Sequence, residues 1–262
     1  VLVFLPLLAW REGRGALSFD GHGWRATIAG VVGMAGSALL VFVGLSMTQP
    51  EVAVIIISLQ PAMTAIVQWR VHGQRPSRFT LAAIAVAFAG VVLVVTRGGA
   101  ALSGLGPGTG ARELLGDAMV FAGAAAWVAY TTLSQGFRGW SALRLSTLTC
   151  VTALPPIGLA WLAAFALDAA PLQSWAAIGQ HGWRIAYVSL VGVVAGMFLW
   201  NAGVRRLGAL DAVLVLNLMP VVTFAIRALE GARFHPLQLA GAALVVGALI
   251  ANSLHARRRP MA

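Results

Sequence analysis

The chain has 262 residues, of which 59% are hydrophobic and 10% charged, with a mean hydropathy of +0.85. One soluble core cannot bury that much apolar surface, so composition excludes an ordinary globular domain and indicates a polytopic membrane protein. The net charge of +10 is carried by 18 arginines without a lysine; they sit in short connections between apolar runs, where charge sets membrane orientation and no nucleic-acid partner is implied.

In chain order, Val1 to Trp10 is apolar but too short to cross hydrocarbon, which takes about 20 helical residues. It reads as the tail of a crossing. After the loop REGRGALSFDGHGWR, helical crossings are expected at 26–45, 50–69, 79–96, 114–136, 145–167, 185–204, 209–228 and 236–254. The Gly-rich stretch at 97–113 is the expected linker between a first repeat, 1–96, and a second, 114–254, with 255–262 as a basic tail. Cys150 is the single cysteine and excludes an intrachain disulfide.

The helix-length apolar runs around Pro61 and Pro220 each carry a central proline. Proline lacks an amide hydrogen and crowds the preceding turn, so in a membrane such a helix belongs inside a bundle. The two runs are copies. Gly44, Ala53, Val54, Leu59, Pro61 and Thr64 recur as Gly203, Ala212, Val213, Leu218, Pro220 and Thr223, a gapless offset of 159, and His22–Arg25 recurs at the same offset as His181–Arg184. Equivalent crossings are five apart, an odd number, so the copies are expected to run in opposite directions, as in the inverted repeats of secondary transporters. Arginines divide 13 to 5 between the two sides, which makes the C-terminal tail cytoplasmic by the positive-inside rule. Carrying the offset backwards places one helix and most of another before residue 1. The expected intact protein therefore has ten helices, about eight and a half of them present here.

Gly116 and Asp117 opening a helix that continues through Trp127 to Tyr130, Trp200 and Asn201 late in another, the run RRLGALDAVLVLNLMP, and Glu230 ten positions after Pro220 form an ordered set. In these residues the chain resembles the drug/metabolite transporter superfamily, specifically proteins with two EamA-like domains. Val71 departs from it, standing where the first repeat of such proteins carries glutamate. The resemblance implies an all-α, five-plus-five inverted-repeat bundle with both termini cytoplasmic in the inner or plasma membrane, exporting or exchanging a small organic metabolite or drug-like solute.

The candidate substrate-binding residues are Gln60, Thr64, Trp127, Tyr130, Trp200, Asn201, Asn217 and Thr223, with Pro61 and Pro220 as helix breaks. Gln60, Thr64 and Gln68 are spaced four apart on one face. The two threonines either line a cavity or satisfy their own helix one turn back. Asn201 and Asn217, amides in apolar spans, need a partner in another helix, in water or in a solute. Asp117 and Asp211 fall in first helical turns, where a carboxylate complements the dipole; with Glu230 they are the alternatives for proton coupling. Small residues recur every four positions at Ala29, Gly33 and Ser37, at Ala118, Ala122 and Ala126, at Gly192 and Gly196, and at Ala243, Gly247 and Ala251, and each row is an expected packing surface. All five histidines fall in expected loops or the tail, and no zinc, nucleophile-elbow or phosphate-loop motif occurs. No enzyme activity, metal or cofactor is expected. Membrane lipid and a small-molecule substrate are the expected partners, while proton coupling and homo-oligomerisation stay open. The competing reading is a non-transporting membrane assembly or scaffold protein.

Overall fold

The structure, a computed structural model, describes residues 1–95, 110–167, 175–229, 231 and 236–257. Among these, every regular element is helical, as hydrocarbon requires of a chain that must satisfy its own backbone. In order they are α1 (Phe4–Glu12), α2 (Gly23–Leu45), α3 (Pro50–Ile57), α4 (Gln60–His72), α5 (Arg78–Val95), α6 (Ala111–Ser134), α7 (Ala142–Ala166), α8 (175–207), α9 (Ala209–Val215), α10 (Met219–Leu229) and α11 (Pro236–Arg257). Six described stretches are long and apolar enough to cross a membrane: α2, the α3–α4 pair from Val52, α6, α7, α8 from Ile178, and α11 as far as His255.

The proline breaks behave alike. At Ser58 and Leu59 the chain leaves α3, and Pro61 lies in the first turn of α4, where a missing amide hydrogen costs nothing. In the second copy a short 3-10 turn, Leu216–Leu218, precedes α10, of which Pro220 is the second residue. Each proline therefore starts a new helix and does not kink an unbroken one. α4 ends at Gly73, whose φ of 68° closes the helix with amides of Gly73 and Gln74 on the carbonyls of Trp69 and Gln68.

The duplication is also written in the backbone. α2 contains a π-helical stretch, Ala29–Gly36, and α8 contains one at Val188–Ala195, displaced by the same 159 positions as the matching residues. The helices on either side begin again at Ser37 and Gly196, at the same offset.

The chain forms two compact units, and neither is a sequence repeat. The first comprises Val1–Leu39 and Ala129–Gly208; the second comprises Leu40–Val128 and Ala209–Ala262. In the first unit, the π-helical part of α2 packs on α7. The approach is close enough that a Cβ on Gly30 would meet the Thr149 carbonyl at 2.5 Å, and α2 lies as close to α6, where a Cβ on Gly33 would meet the Tyr130 Cβ at 2.5 Å. In the second unit, α5 packs along α11 through Gly90 and Gly241, and the end of α2 meets the start of α6 through Gly44 and Gly116. A small core of Ala65, Ile84 and Leu214 joins α4, α5 and α9.

Of the expected small-residue rows, Ala29, Gly33 and Ser37 is buried as a whole. On α6 the packed face is Gly116, Val120 and Ala124, while Ala118 and Ala122 are exposed. On α11 it is Gly241 and Val245, and Gly247 has open space. Gly192 on α8 is exposed too. A four-residue spacing identifies a narrow groove; it does not say whether the groove meets a helix or lipid.

Two boundaries also differ. Ala111–Glu113, expected in the linker, open α6, so Asp117 lies in the second turn and Glu113 in the first. α8 begins ten residues before the expected crossing, because Trp175–Tyr187 is amphipathic and stays helical outside the apolar span. His181 is therefore helical, as are His72 at the end of α4 and His255 in α11; His22 caps α2 and His235 lies outside the described residues.

One connection is clasped to its neighbour in the first unit. The Arg144 guanidinium donates to the Asp20 carboxylate at 2.5 Å and the Ser18 carbonyl at 2.7 Å, and lies 4.9 Å from the centre of the Trp140 ring. The Arg144 hydrogen bond, with a second from Ser18, holds the Asp20 carboxyl below its ordinary value of 3.8. A lowered carboxylate pKa stabilises the fold above the unfolded value, and the contribution disappears as pH falls through the folded value. We expect thermal stability in detergent to fall as pH drops below 3.8 through this group, and Asp20→Asn to remove that acid-sensitive step. An unchanged acid profile in Asp20→Asn would show the clasp to be energetically idle.

Candidate functional site: two buried polar clusters

Polar side chains buried in an apolar bundle need partners, since each unsatisfied group costs about 1–3 kcal/mol. In the first unit that requirement is met around Asn201, fully buried on α8. Its Nδ2 donates to the Tyr130 hydroxyl and to Ser146 Oγ, both at 2.8 Å, and its Oδ1 accepts from the Tyr130 hydroxyl at 3.1 Å. Ser146 Oγ passes its own hydrogen to the Met197 carbonyl at 3.2 Å, and Thr149 Oγ1 lies 3.4 Å from the Tyr130 oxygen while donating to the Leu145 carbonyl. The last turns of α6, the first turns of α7 and the later part of α8 are thereby tied together. The next residues of α6, Thr131 and Thr132, are buried with hydroxyl oxygens that have no hydrogen-bond partner among the described residues. Trp200, beside Asn201, is half-buried.

The second unit holds the polar face of α4. Gln60, Thr64 and Gln68 are all buried, as their shared face required. Gln60 Nε2 donates to the Ala124 carbonyl of α6 at 3.3 Å, which fixes the amide and leaves Oε1 without a partner among the described residues. Thr64 donates to the Gln60 carbonyl at 2.8 Å, the self-satisfying bond that was one of its two readings. Asn217, 2% exposed in the 3-10 turn, has an Nδ2 with no partner among the described residues. Trp127 on α6 is half-buried in the same unit. The side chains of Pro220 and Thr223, and Glu230 altogether, lie outside the described residues.

Both described acids of the coupling set are held by neutral donors. The Thr48 hydroxyl donates to Asp117, and Asn252 Nδ2 donates to Asp211 at 3.0 Å. Asp211 does lie in the first turn of α9. Thr48, Ser146, Thr149 and Asn252 went unrecognised in the sequence, although Ser146, Thr149 and Thr152 stand three apart in an apolar run, the spacing of one helix face.

Helices of membrane-crossing length around buried, mutually bonded amides and hydroxyls define an integral, polytopic α-helical membrane protein. The description of the EamA-like transporter family matches residues 1–96 and 114–254, and the chain belongs to that family. It is 28% identical over 263 residues to the uncharacterized transporter YrdR of Bacillus subtilis (strain 168), covering 98% of this chain and 80% of that one. To the uncharacterized transporter YyaM of the same organism it is 29% identical over 264 residues, covering 96% and 80%. A solved structure described only as a crystal structure of a protein superposes with a TM-score of 0.73 at 21% identity, covering 98% of this chain and 84% of that one, a likeness of fold. The protein is thus a membrane transporter and not an enzyme.

Proposed function

We propose that this transporter is a secondary carrier that exports or exchanges a small organic solute by alternating access, built from two oppositely oriented repeats over 1–96 and 114–254 with a cytoplasmic C-terminus. The observation that carries the solute reading is the pair of buried amides, Gln60 and Asn217, one with an acceptor and the other with a donor unmatched by protein among the described residues. Each belongs to a proline-broken segment, and transporters place solute sites at such breaks, where backbone and side-chain polarity concentrates. A neutral or zwitterionic solute with both a donor and an acceptor fits these two groups. Asn201, Tyr130, Trp127, Trp200, Thr64 and Thr223 are proposed as further contacts, and Asp117, Asp211 and Glu230 as the acids to test for proton coupling.

Flux of labelled amino acids, nucleosides and amphipathic drugs into proteoliposomes tests the carrier reading, and cysteine labelling tests the inversion. Cysteines placed at His22 and His181 should react with an impermeant reagent from opposite sides of the membrane. Labelling of both from one side would end the inverted-repeat reading, and exchange of no solute class would end the carrier reading.

A further inference from the structure

A cavity of the first unit contains none of the residues proposed to contact the solute. It has a volume of about 820 Å³ and lies between α1, the start of α7 and the second half of α8. Its chemistry is divided. Arg11, Arg205 and Arg206 line one part; Phe4, Leu7 and Phe198, with Leu143 and Val194, line the rest.

Each of the three arginines is in the last turn of its helix, so local sequence collects them where α1 and α8 end. Complementing the helix dipoles accounts for their presence there but leaves the guanidinium groups largely unneutralised. The one acid in the cavity, Glu12, is engaged, its Oε1 accepting from the Ser141 hydroxyl at 2.5 Å. No ion pair joins these arginines to an acid among the described residues, where the bridge between Arg144 and Asp20 lies elsewhere. A net positive cavity therefore borders an apolar wall. Beyond the cavity lining, Leu190, Val193 and Leu199 of α8 are exposed, as apolar residues facing acyl chains are in a membrane. Trp10, 78% exposed and 5.6 Å from the Arg11 guanidinium, is an aromatic of the kind that settles at headgroup level.

We propose that this cavity binds an anionic phospholipid, its phosphate on Arg11, Arg205 and Arg206 and an acyl chain along Phe4, Leu7 and Phe198. Guanidinium groups match phosphate with forked, paired hydrogen bonds, and basic pockets between helices at a membrane face are where acidic headgroups collect. A free phosphate would use the arginines but not the apolar wall. A zwitterionic lipid such as phosphatidylcholine would use the wall but set its own choline cation beside three arginines. The proposal does not depend on which solute the protein moves.

The test is lipid retention, measured by native mass spectrometry on the full chain exchanged from detergent into phosphatidylglycerol or phosphatidylcholine. Phosphatidylglycerol should be retained about tenfold over phosphatidylcholine, and Arg205→Gln with Arg206→Gln should remove most of that preference. Arg11→Gln, on the opposite wall, should lower it separately, which keeps the question answerable if the double variant folds poorly. Arg78→Gln, at the start of α5 and outside the cavity, should leave it unchanged. Equal retention of the two lipids, an equal loss in Arg78→Gln, or displacement of phosphatidylglycerol by millimolar inorganic phosphate would each overturn the proposal.

Discussion

Gly90→Ala is expected to cut the yield of folded protein several-fold and lower its melting temperature, while Gly247→Ala, the same chemical change on a partner helix, is expected to leave both unchanged or improved. The difference lies in what the new methyl meets. At Gly90 it would sit 2.7 Å from the Gly241 carbonyl oxygen and 3.0 Å from the Val245 amide nitrogen, both backbone atoms of α11 that cannot rotate away. The crossing is reciprocal, since a Cβ on Gly241 would sit 2.6 Å from the Gly90 carbonyl oxygen. Overpacking of this kind costs about 1–3 kcal/mol, and between helices held by contact alone it separates the pair. Gly247 has nothing within 4 Å, so there alanine only removes the backbone entropy of glycine, up to about 1 kcal/mol in favour of the helix. Thermal unfolding of both variants in one detergent decides the matter. Equal melting temperatures would mean that α5 and α11 do not cross at Gly90.

That contrast also marks how far the sequence could be read. Element positions were legible because length and apolarity set the crossings, and because Pro61 and Pro220 punctuate them at one offset. The 159-residue duplication was legible in residues that match at one offset, and the two π-helical stretches stand at that same offset. Helix faces were not legible. In a soluble protein the apolar face is the buried one, but in a membrane both lipid-facing and protein-facing residues are apolar, so Ala243–Gly247–Ala251 and Gly241–Val245 look alike until the neighbour is known.

The candidate site divides along the same line. Gln60, Thr64 and Gln68 could be placed on one face because polar residues at four-residue spacing stand out against an apolar background, and all three are buried. Tyr130 and Asn201 were both singled out, yet not as partners, since they are 71 positions apart and nothing local couples them. Their link is direct, α6 to α8, and Ser146 of α7 adds a second bond to Asn201; both are properties of packing.

Asn201→Leu is expected to lower solute flux per folded molecule about tenfold, beyond a loss of stability on the order of 1–2 kcal/mol. The stability part follows from the bonds themselves. Interhelical hydrogen bonds in membranes average about 0.6 kcal/mol, and Asn201 makes them to Tyr130 on α6 and Ser146 on α7. Leucine keeps the branching and heavy-atom count of asparagine but is bulkier, so the loss is the bonds, the buried hydroxyls left behind and some overpacking, not a cavity. Tyr130→Phe should cost less, because it leaves Asn201 bonded to Ser146. The double variant should lose less than the two single losses combined, with a coupling of about 0.5 kcal/mol or more, since both changes break one shared bond. Flux separates structure from solute contact. If Asn201 only ties helices together, Tyr130→Phe and Asn201→Leu will transport in proportion to their folded fractions; if it also meets the solute, Asn201→Leu will fall below that line and Asn201→Gln, which keeps the amide, will recover part of the difference. Proteoliposome flux normalised to folded protein by size-exclusion chromatography measures it, and a variant lying on the line would make Asn201 a structural residue alone.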